Sequence, residues 1–126
     1  MYLKKINIKN FKAITNMEID FTEGVNLLIG DNGVGKSSIL EAIAVALFGM
    51  LKGIRGVPTK NILQDDIHFT IEEKGDASSA IRYWTPTEIA GTLEMQNESY
   101  HWRRYRLNED GKERTKMDDD GIVKWM

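Results

Sequence analysis

Eight residues in the first third of the chain have the types and spacing of a phosphate-binding loop. The segment from Gly30 to Ser37 reads GDNGVGKS and fits the pattern G-x-x-x-x-G-K-[ST] without a mismatch. Glycines adopt backbone angles that are closed to other residues, so successive N–H groups can point inward around an anion. Lys36 then supplies a full positive charge to the terminal phosphates. The pattern therefore predicts a site for a nucleoside triphosphate, with ATP and Mg²⁺ as the expected pair.

The residues after the lysine complete this candidate site. The Ser37 hydroxyl is in the position that ligates Mg²⁺ in such loops. A helix that begins here would add free N–H donors and a partial positive charge at its first turn. The alternative without a ligand is a glycine-rich turn that only joins a strand to a helix. The expected nucleotide-binding residues of this segment are Gly30, Asp31, Asn32, Gly33, Val34, Gly35, Lys36, Ser37 and Ser38.

The elements around the loop have the order that a phosphate loop requires. The apolar run Val25–Ile29 ends at Gly30 and predicts an interior strand. Strong helix formers follow over residues 36–51, and they are apolar on nearly all sides, which predicts a buried helix. Alternating apolar and polar residues predict two earlier strands, at residues 2–9 and 17–21.

The second half of the chain carries weaker patterns. Residues 67–71 alternate like a short strand, and the small polar residues at 72–80 favour a loop. Residues 87–95 and 100–107 predict a β-hairpin with its turn at residues 96–98. The predicted fold class is α/β: a phosphate-loop NTPase lobe with a mixed sheet, one long buried helix after the loop, and an antiparallel β-hairpin extension.

Composition bounds the classes of protein that fit. The chain has 126 residues, 41% hydrophobic and 29% charged, which suits one globular domain. A formal net charge of −2 does not favour a general polyanion binder or a membrane-surface protein. The absence of cysteine excludes disulfides and cysteine-type zinc sites. The start has no signal-peptide pattern and no apolar segment reaches membrane-spanning length, so a cytoplasmic location is expected.

Two stretches of sequence together resemble a known family. The opening IKNFKAI, followed by a strand and by NLLIGDNGVGKSSILEAIAVALFG, resembles the N-terminal lobe of RecF/SMC-type ATPases. These are ABC-class ATPases of DNA repair and chromosome organisation. Bacterial AAA-family ATP-binding proteins are similar too, and some of those are linked to phage defence. The resemblance implies ATP-joined homodimers of heads in the full-length protein and leaves DNA open as a further partner. No membrane partner is expected, since no apolar segment is long enough to span one.

The resemblance also assigns two residues outside the loop. A basic residue of the family's N-F-[RK] element contacts the nucleotide phosphates, and Lys12 stands at that position. The alternative for Lys12 is a surface lysine between strands. A glutamine loop supplies a further Mg²⁺ or water contact in the family, and Gln64, beside Asp65 and Asp66, is the preferred candidate over Gln96. A solvated polar turn is the alternative for Gln64.

Two family motifs are missing from this sequence. There is no run of four apolar residues before Asp-Glu, which is the Walker B strand, and no Ser-Gly-Gly signature. We therefore expect residues 1–126 to form a single partial nucleotide-binding domain, the N-terminal lobe of an ATPase head. The full-length protein is expected to be an ATPase and this chain alone to be inactive, since no catalytic residue is identified.

Other functions stay open at this point. A small-molecule phosphate-loop kinase would need acceptor and lid residues that the sequence does not identify. A non-catalytic nucleotide-binding or interaction module is a further alternative. The aromatic and basic stretch at residues 100–106 could form a DNA face from Arg104 and Arg106 with Tyr100 and Trp102. Arginine stems packed on rings are the structural alternative, and we favour it.

Overall fold

The computed structural model describes residues 2–22, 34–50, 60–73, 75 and 79–119. Within these ranges the chain forms one long helix, one short 3₁₀ helix and seven strands. The elements in chain order are β1 (Tyr2–Phe11), β2 (Ile14–Asp20), α1 (Val34–Met50), the 3₁₀ helix (Gln64–Asp66), β3 (Phe69–Glu73), β4 (Ser79–Tyr83), β5 (Thr87–Met95), β6 (Glu98–Arg106) and β7 (Lys116–Asp119).

Five strands form the main sheet in the order β2-β1-β5-β6-β7, and every neighbouring pair is antiparallel. Burial alternates along the central strands, as the two-residue period of a strand requires. Ile6 and Ile8 of β1 lie on the same face as Ile89 and Leu93 of β5, and all four are buried. This inner face is one wall of the hydrophobic core.

Helix α1 packs on the inner face and forms the other wall. Ala42, Val45 and Ala46 are fully buried within the core cluster. The expectation of a helix buried on nearly all sides is only partly right, because the Leu40 side chain is 51% exposed. The described strands cover one side of the helix, so its opposite side keeps apolar residues in contact with solvent.

Strand β6 fixes the position of α1 through polar as well as apolar contacts. The Trp102 indole N–H donates to the Ala46 carbonyl at 3.0 Å. Gly91 stands opposite Trp102, and a Cβ there would lie 2.6 Å from the ring, so the glycine makes room for the indole. Gly49 makes similar room for the Arg104 side chain. Helix and sheet therefore approach closely at Gly49, while Gly91 leaves space on the sheet for the indole that bonds the helix.

The predicted α/β fold class, the long helix and the β5–β6 hairpin are confirmed. The hairpin is not peripheral, since β5 pairs with β1 in the middle of the sheet. All described strand pairs are antiparallel, and the predicted strand Val25–Ile29 lies outside the described residues. No helix in the described part of the chain is long and apolar enough to cross a membrane.

The predicted loop at residues 72–80 is partly wrong. Glu72 and Glu73 continue β3, and Ser79 and Ala80 begin β4 of a separate two-stranded sheet. Cross-strand pairing of Ile71 with Ile81 carries the ladder through residues whose individual preferences are weak for strands. The charged tail also contains a strand, β7, since it pairs along the edge of β6.

We predict that Gly49→Ala lowers the free energy of unfolding by about 1–2 kcal/mol. The added methyl collides with the middle of the Arg104 side chain, which its hydrogen bonds hold in place, and overpacking of this kind outweighs the gain in helix propensity. Chemical denaturation measures the change. Gly111→Ala is the matched control, because no atom lies within 4 Å of its added Cβ. Equal stability of the two variants would contradict the close approach at Gly49.

Candidate nucleotide site

The N-terminal end of α1 carries the described part of the phosphate loop. The helix begins at Val34, so Lys36 and Ser37 lie in its first turn, where N–H groups have no partner within the helix. Ser37 is exposed and Ser38 is buried, at 1% exposure. Residues 30–33 of the loop lie outside the described residues. The helix start thus has the polarity and the exposed hydroxyl that a phosphate and its Mg²⁺ require.

The turn between β1 and β2 presents Lys12 in an unusual backbone conformation. Asn10 and Lys12 both have positive φ, 53° and 51°, while Phe11 between them is fully buried in the core. A left-handed residue other than glycine costs about 1–2 kcal/mol, and asparagine tolerates it better than lysine. Neighbouring groups hold this turn: the Asn10 side-chain amide donates to the Pro86 carbonyl, and the Asn10 carbonyl accepts from the Thr87 hydroxyl.

The backbone of Lys12 is bonded on both sides. Its N–H donates to the Asp66 carbonyl at 2.6 Å, and its carbonyl lies 2.6 Å from Nδ1 of His68. Strained backbone that is held from several sides is frequent at functional positions. The anchored Phe11 and these bonds together fix the direction in which the Lys12 side chain leaves the turn.

The Lys12 ammonium reaches α1. Its Nζ lies 2.5 Å from Oε2 of Glu41 and 3.4 Å from Oδ1 of Asp66. The hydrogen bond with Glu41 is the main cause that raises the pKa of Lys12 above its ordinary value. Glu41 is four residues after Ser37, so the two are neighbours on one helix face, and helical side chains lean toward the N-terminus. Lys12 is therefore paired with a helix residue that lies one turn after Ser37.

Asp66 ends a segment, Lys60–Asp66, that β6 and the loop after it hold in place. Its second carboxylate oxygen accepts from the Leu63 N–H at 2.9 Å, which closes the 3₁₀ turn. The Arg104 guanidinium donates to the Lys60 carbonyl and, at 2.7 Å, to the Asn61 side chain. The Ile62 carbonyl accepts from Arg106 and from the Thr115 hydroxyl, and the Ile62 N–H donates to the Thr115 hydroxyl oxygen.

Comparison with known proteins decides the family. The model of a family described as "AAA domain" matches residues 5–124. The chain belongs to this AAA domain family. A DNA double-strand break repair Rad50 ATPase of Archaeoglobus fulgidus is 54% identical over 48 residues, which are 38% of this chain and 5% of the relative. Septu protein PtuA of Bacillus mycoides is 54% identical over 38% of this chain and 8% of its own length.

A third relative and a solved structure extend the likeness. The DNA replication and repair protein RecF of Caldanaerobacter subterraneus is 41% identical over 52% of this chain and 18% of the relative. A structure from work on ATP-driven dimerization and DNA-stimulated activation of SMC ATPases has a TM-score of 0.60 at 22% identity. It covers 98% of this chain and 75% of that one. The fold of this AAA domain chain is thus that of a RecF/SMC-type N-terminal lobe.

These comparisons bear directly on the expectations from sequence. The resemblance to RecF/SMC-type ATPases is confirmed, and the kinase alternative is not favoured. The chain spans only 5% to 18% of the three curated relatives named above. The activities of those whole proteins are therefore only proposals for this chain.

The structure gives Gln64 a local role. Its side-chain amide donates to the Glu109 carbonyl at 2.9 Å, and the residue is exposed at the start of the 3₁₀ helix. This bond ties the segment Lys60–Asp66 to the loop after β6. A metal-ligating role for Gln64 stays a prediction. The described residues contain no group of three or more histidines and carboxylates that could hold a metal ion.

Sequence reasoning missed Glu41 and Asp66 as partners of Lys12. Glu41 is placed by helical periodicity, four residues after Ser37, and that spacing was a usable signal. Asp66 carried no such signal, because its contact depends on how the segment Lys60–Asp66 crosses the β1–β2 turn.

The arginines of β6 are divided between the two faces of the sheet. Arg104 and Arg106 lie on the inner face with Tyr100 and Trp102, and each arginine is only 3% exposed. Burial lowers the pKa of Arg104, and its Nε has no hydrogen-bond partner among the described residues. Arg103 lies on the outer face, where Asp118 and Glu88 neutralise it. Arg104 and Arg106 are held by hydrogen bonds to carbonyls of α1 and of the segment Lys60–Asp66, whereas the expected packing of an arginine on a ring is found at Arg103, whose guanidinium carbon lies 4.4 Å from the Tyr105 ring centroid.

We predict that Arg104→Met lowers the free energy of unfolding by about 2–3 kcal/mol, because buried carbonyls of α1 and of the segment Lys60–Asp66 lose their donor. Thermal and urea unfolding measure the effect. Arg103→Met is the matched control on the same strand and is expected to have nearly the melting temperature of the wild type, since the ion pairs of Arg103 with Asp118 and Glu88 and its contact with the Tyr105 ring are at least partly exposed. A larger loss for Arg103 than for Arg104 would refute the assignment of faces.

Proposed function

We propose that this chain is the nucleotide-binding lobe of an ATPase head and that it binds ATP with Mg²⁺ at the N-terminal end of α1. The observation that carries the proposal is the convergence of two separate sequence elements. The phosphate-loop motif runs into the first turn of α1, and the Lys12 ammonium reaches the same helix face from the β1–β2 turn. A lysine from outside the motif thus reaches the helix that the motif begins, at a residue one turn after Ser37.

Each residue of the proposed site has a defined task. Backbone N–H groups of the loop from Gly30 to Gly35 would surround the phosphates, and Lys36 would neutralise the terminal ones. Ser37 would donate its hydroxyl oxygen to Mg²⁺, with Gln64 a second candidate ligand. Lys12 would approach the phosphates from outside the loop. A bound Mg²⁺ offsets charge on the phosphate oxygens and polarises them for attack.

We further propose that residues 1–126 are one partial domain of a longer ATPase. The Walker B carboxylate and the signature motif would come from sequence beyond this lobe. What supports this is the small share of each relative that the chain spans. Two heads joined by ATP, and DNA as an effector, would follow the ATP-driven dimerization and DNA-stimulated activation named for the SMC ATPase.

We predict that Lys36→Ala reduces ATP affinity at least about 100-fold while the melting temperature stays close to that of the wild type. Hydrogen bonds from an ammonium to phosphate are of the strong, charge-assisted kind, and several are lost together. Isothermal titration calorimetry with ATP and Mg²⁺ measures the change. Lys112→Ala removes an exposed lysine of a distant turn and is the matched control. Unchanged affinity in Lys36→Ala would rule out the phosphate-loop site.

The isolated chain is predicted to bind nucleotide weakly and to hydrolyse it negligibly. Without a Walker B carboxylate, the Mg²⁺ shell and the attacking water lack the groups that stabilise the transition state. A phosphate-release assay on the purified chain, with and without DNA, measures turnover, and Lys36→Ala reports any contaminating ATPase. Robust turnover that depends on Lys36 would contradict the partial-domain assignment and indicate a different enzyme class.

A further inference from the structure

Three charged side chains from separate parts of the chain meet beside the proposed nucleotide site. Lys12 comes from the β1–β2 turn, Glu41 from α1 and Asp66 from the end of the 3₁₀ helix. The cluster is partly shielded, with side-chain exposures of 30%, 37% and 12% in that order. One ammonium faces two carboxylates, so the cluster carries one net negative charge where a polyanion is expected.

The Lys12 ammonium cannot pair fully with the carboxylates of Glu41 and Asp66 and with the nucleotide phosphates at the same time. Glu41 lies on the helix face of Ser37, and its carboxylate beside a triphosphate would be repelled by like charge. Lys12 has a flexible four-carbon stem, so its head can change partner while the turn stays fixed by Phe11 and the backbone bonds to Asp66 and His68. Phosphate must therefore draw the ammonium away from a partner that it already has.

We propose that Glu41 holds Lys12 in an autoinhibitory ion pair, which nucleotide has to break, so that Glu41 sets the affinity of the site through Lys12. The proposal rests on the proposed function and deepens it. Asp66 is the second partner of the Lys12 ammonium while it is paired with Glu41. Its carboxylate also caps the Leu63 N–H, so its position survives when the ammonium leaves.

This arrangement explains two features that nucleotide binding alone leaves unexplained. Glu41 lies on the same helix face as Ser37, although a negative charge there would repel a bound phosphate. The turn around Lys12 is bonded to the segment Lys60–Asp66 by its backbone, independently of the side chain. Release of the ammonium would thus change the charge next to that segment while the backbone contact stays in place.

The test is a double-mutant cycle on nucleotide affinity. We expect Glu41→Gln to tighten the binding of ATP with Mg²⁺ by about two- to fivefold, the range that a partly exposed ion pair supports. In the Lys12→Ala background the same change should alter affinity by less than about twofold, the scatter of additive pairs. Lys12→Ala alone weakens binding. Isothermal titration calorimetry of the four proteins at one fixed ionic strength supplies the cycle.

Glu18→Gln is the matched control. It removes one carboxylate charge and breaks an ion pair of similar length, 2.7 Å to Lys5 on the β1–β2 ladder, remote from α1 in its contacts. This control should leave the affinity unchanged. Weaker or unchanged binding in Glu41→Gln overturns the autoinhibitory pair. Equal tightening with and without Lys12 overturns it too, since Glu41 would then act by general repulsion.

The outcomes also separate this inference from the proposed function. If wild-type binding is abolished by Lys36→Ala but Glu41→Gln has no effect, the nucleotide site stands and the ion-pair inference is wrong. If the wild type binds no ATP, or binds it regardless of Lys36, both are wrong.

Discussion

The Arg104 guanidinium links the parts of the molecule on which the candidate site depends. It leaves the inner face of β6 and donates to the Val45 carbonyl of α1 at 3.1 Å. It also bonds the Lys60 carbonyl and the Asn61 side chain, at the start of the segment that ends in Asp66. A buried charge is costly unless it is hydrogen-bonded, so the arginine holds its partners in one arrangement. Helix and segment carry Glu41 and Asp66, and their relative position determines what Lys12 meets.

The β1–β2 turn depends on a second constraint of the same kind. Phe11 is anchored in the core, and the flanking left-handed residues Asn10 and Lys12 are held by bonds to β5 and to Asp66. The bonds described for both constraints are made by residues outside the phosphate-loop motif. They determine what surrounds the Lys12 side chain, while Ser37 in the first turn of α1 is exposed.

Several elements could be predicted from the sequence because their signals are local. The helix after the loop, the first two strands and the β5–β6 hairpin follow from periodicity and from the turn at Gln96 and Asn97, whose positive φ values the turn requires. A strand was expected at residues 67–71, where β3 begins, but its partner β4 and strand β7 were missed, since their pairing comes from cross-strand contacts rather than from local preference. Alternation predicted that Arg104 and Arg106 share a face with Tyr100 and Trp102, but it could not show that this face is buried and that carbonyls bind the two guanidinium groups.

The sequence by itself determined the phosphate-loop motif, the family resemblance and the α/β class, because each depends on residue types at fixed short spacings. Only the tertiary structure decided that Lys12 meets Glu41 and Asp66, residues 29 and 54 positions further along the chain. It also decided that two arginines of β6 are buried and that the third is exposed. The physical reason is that ion pairing and burial depend on distances between elements, and those distances are set by packing of α1 on the sheet.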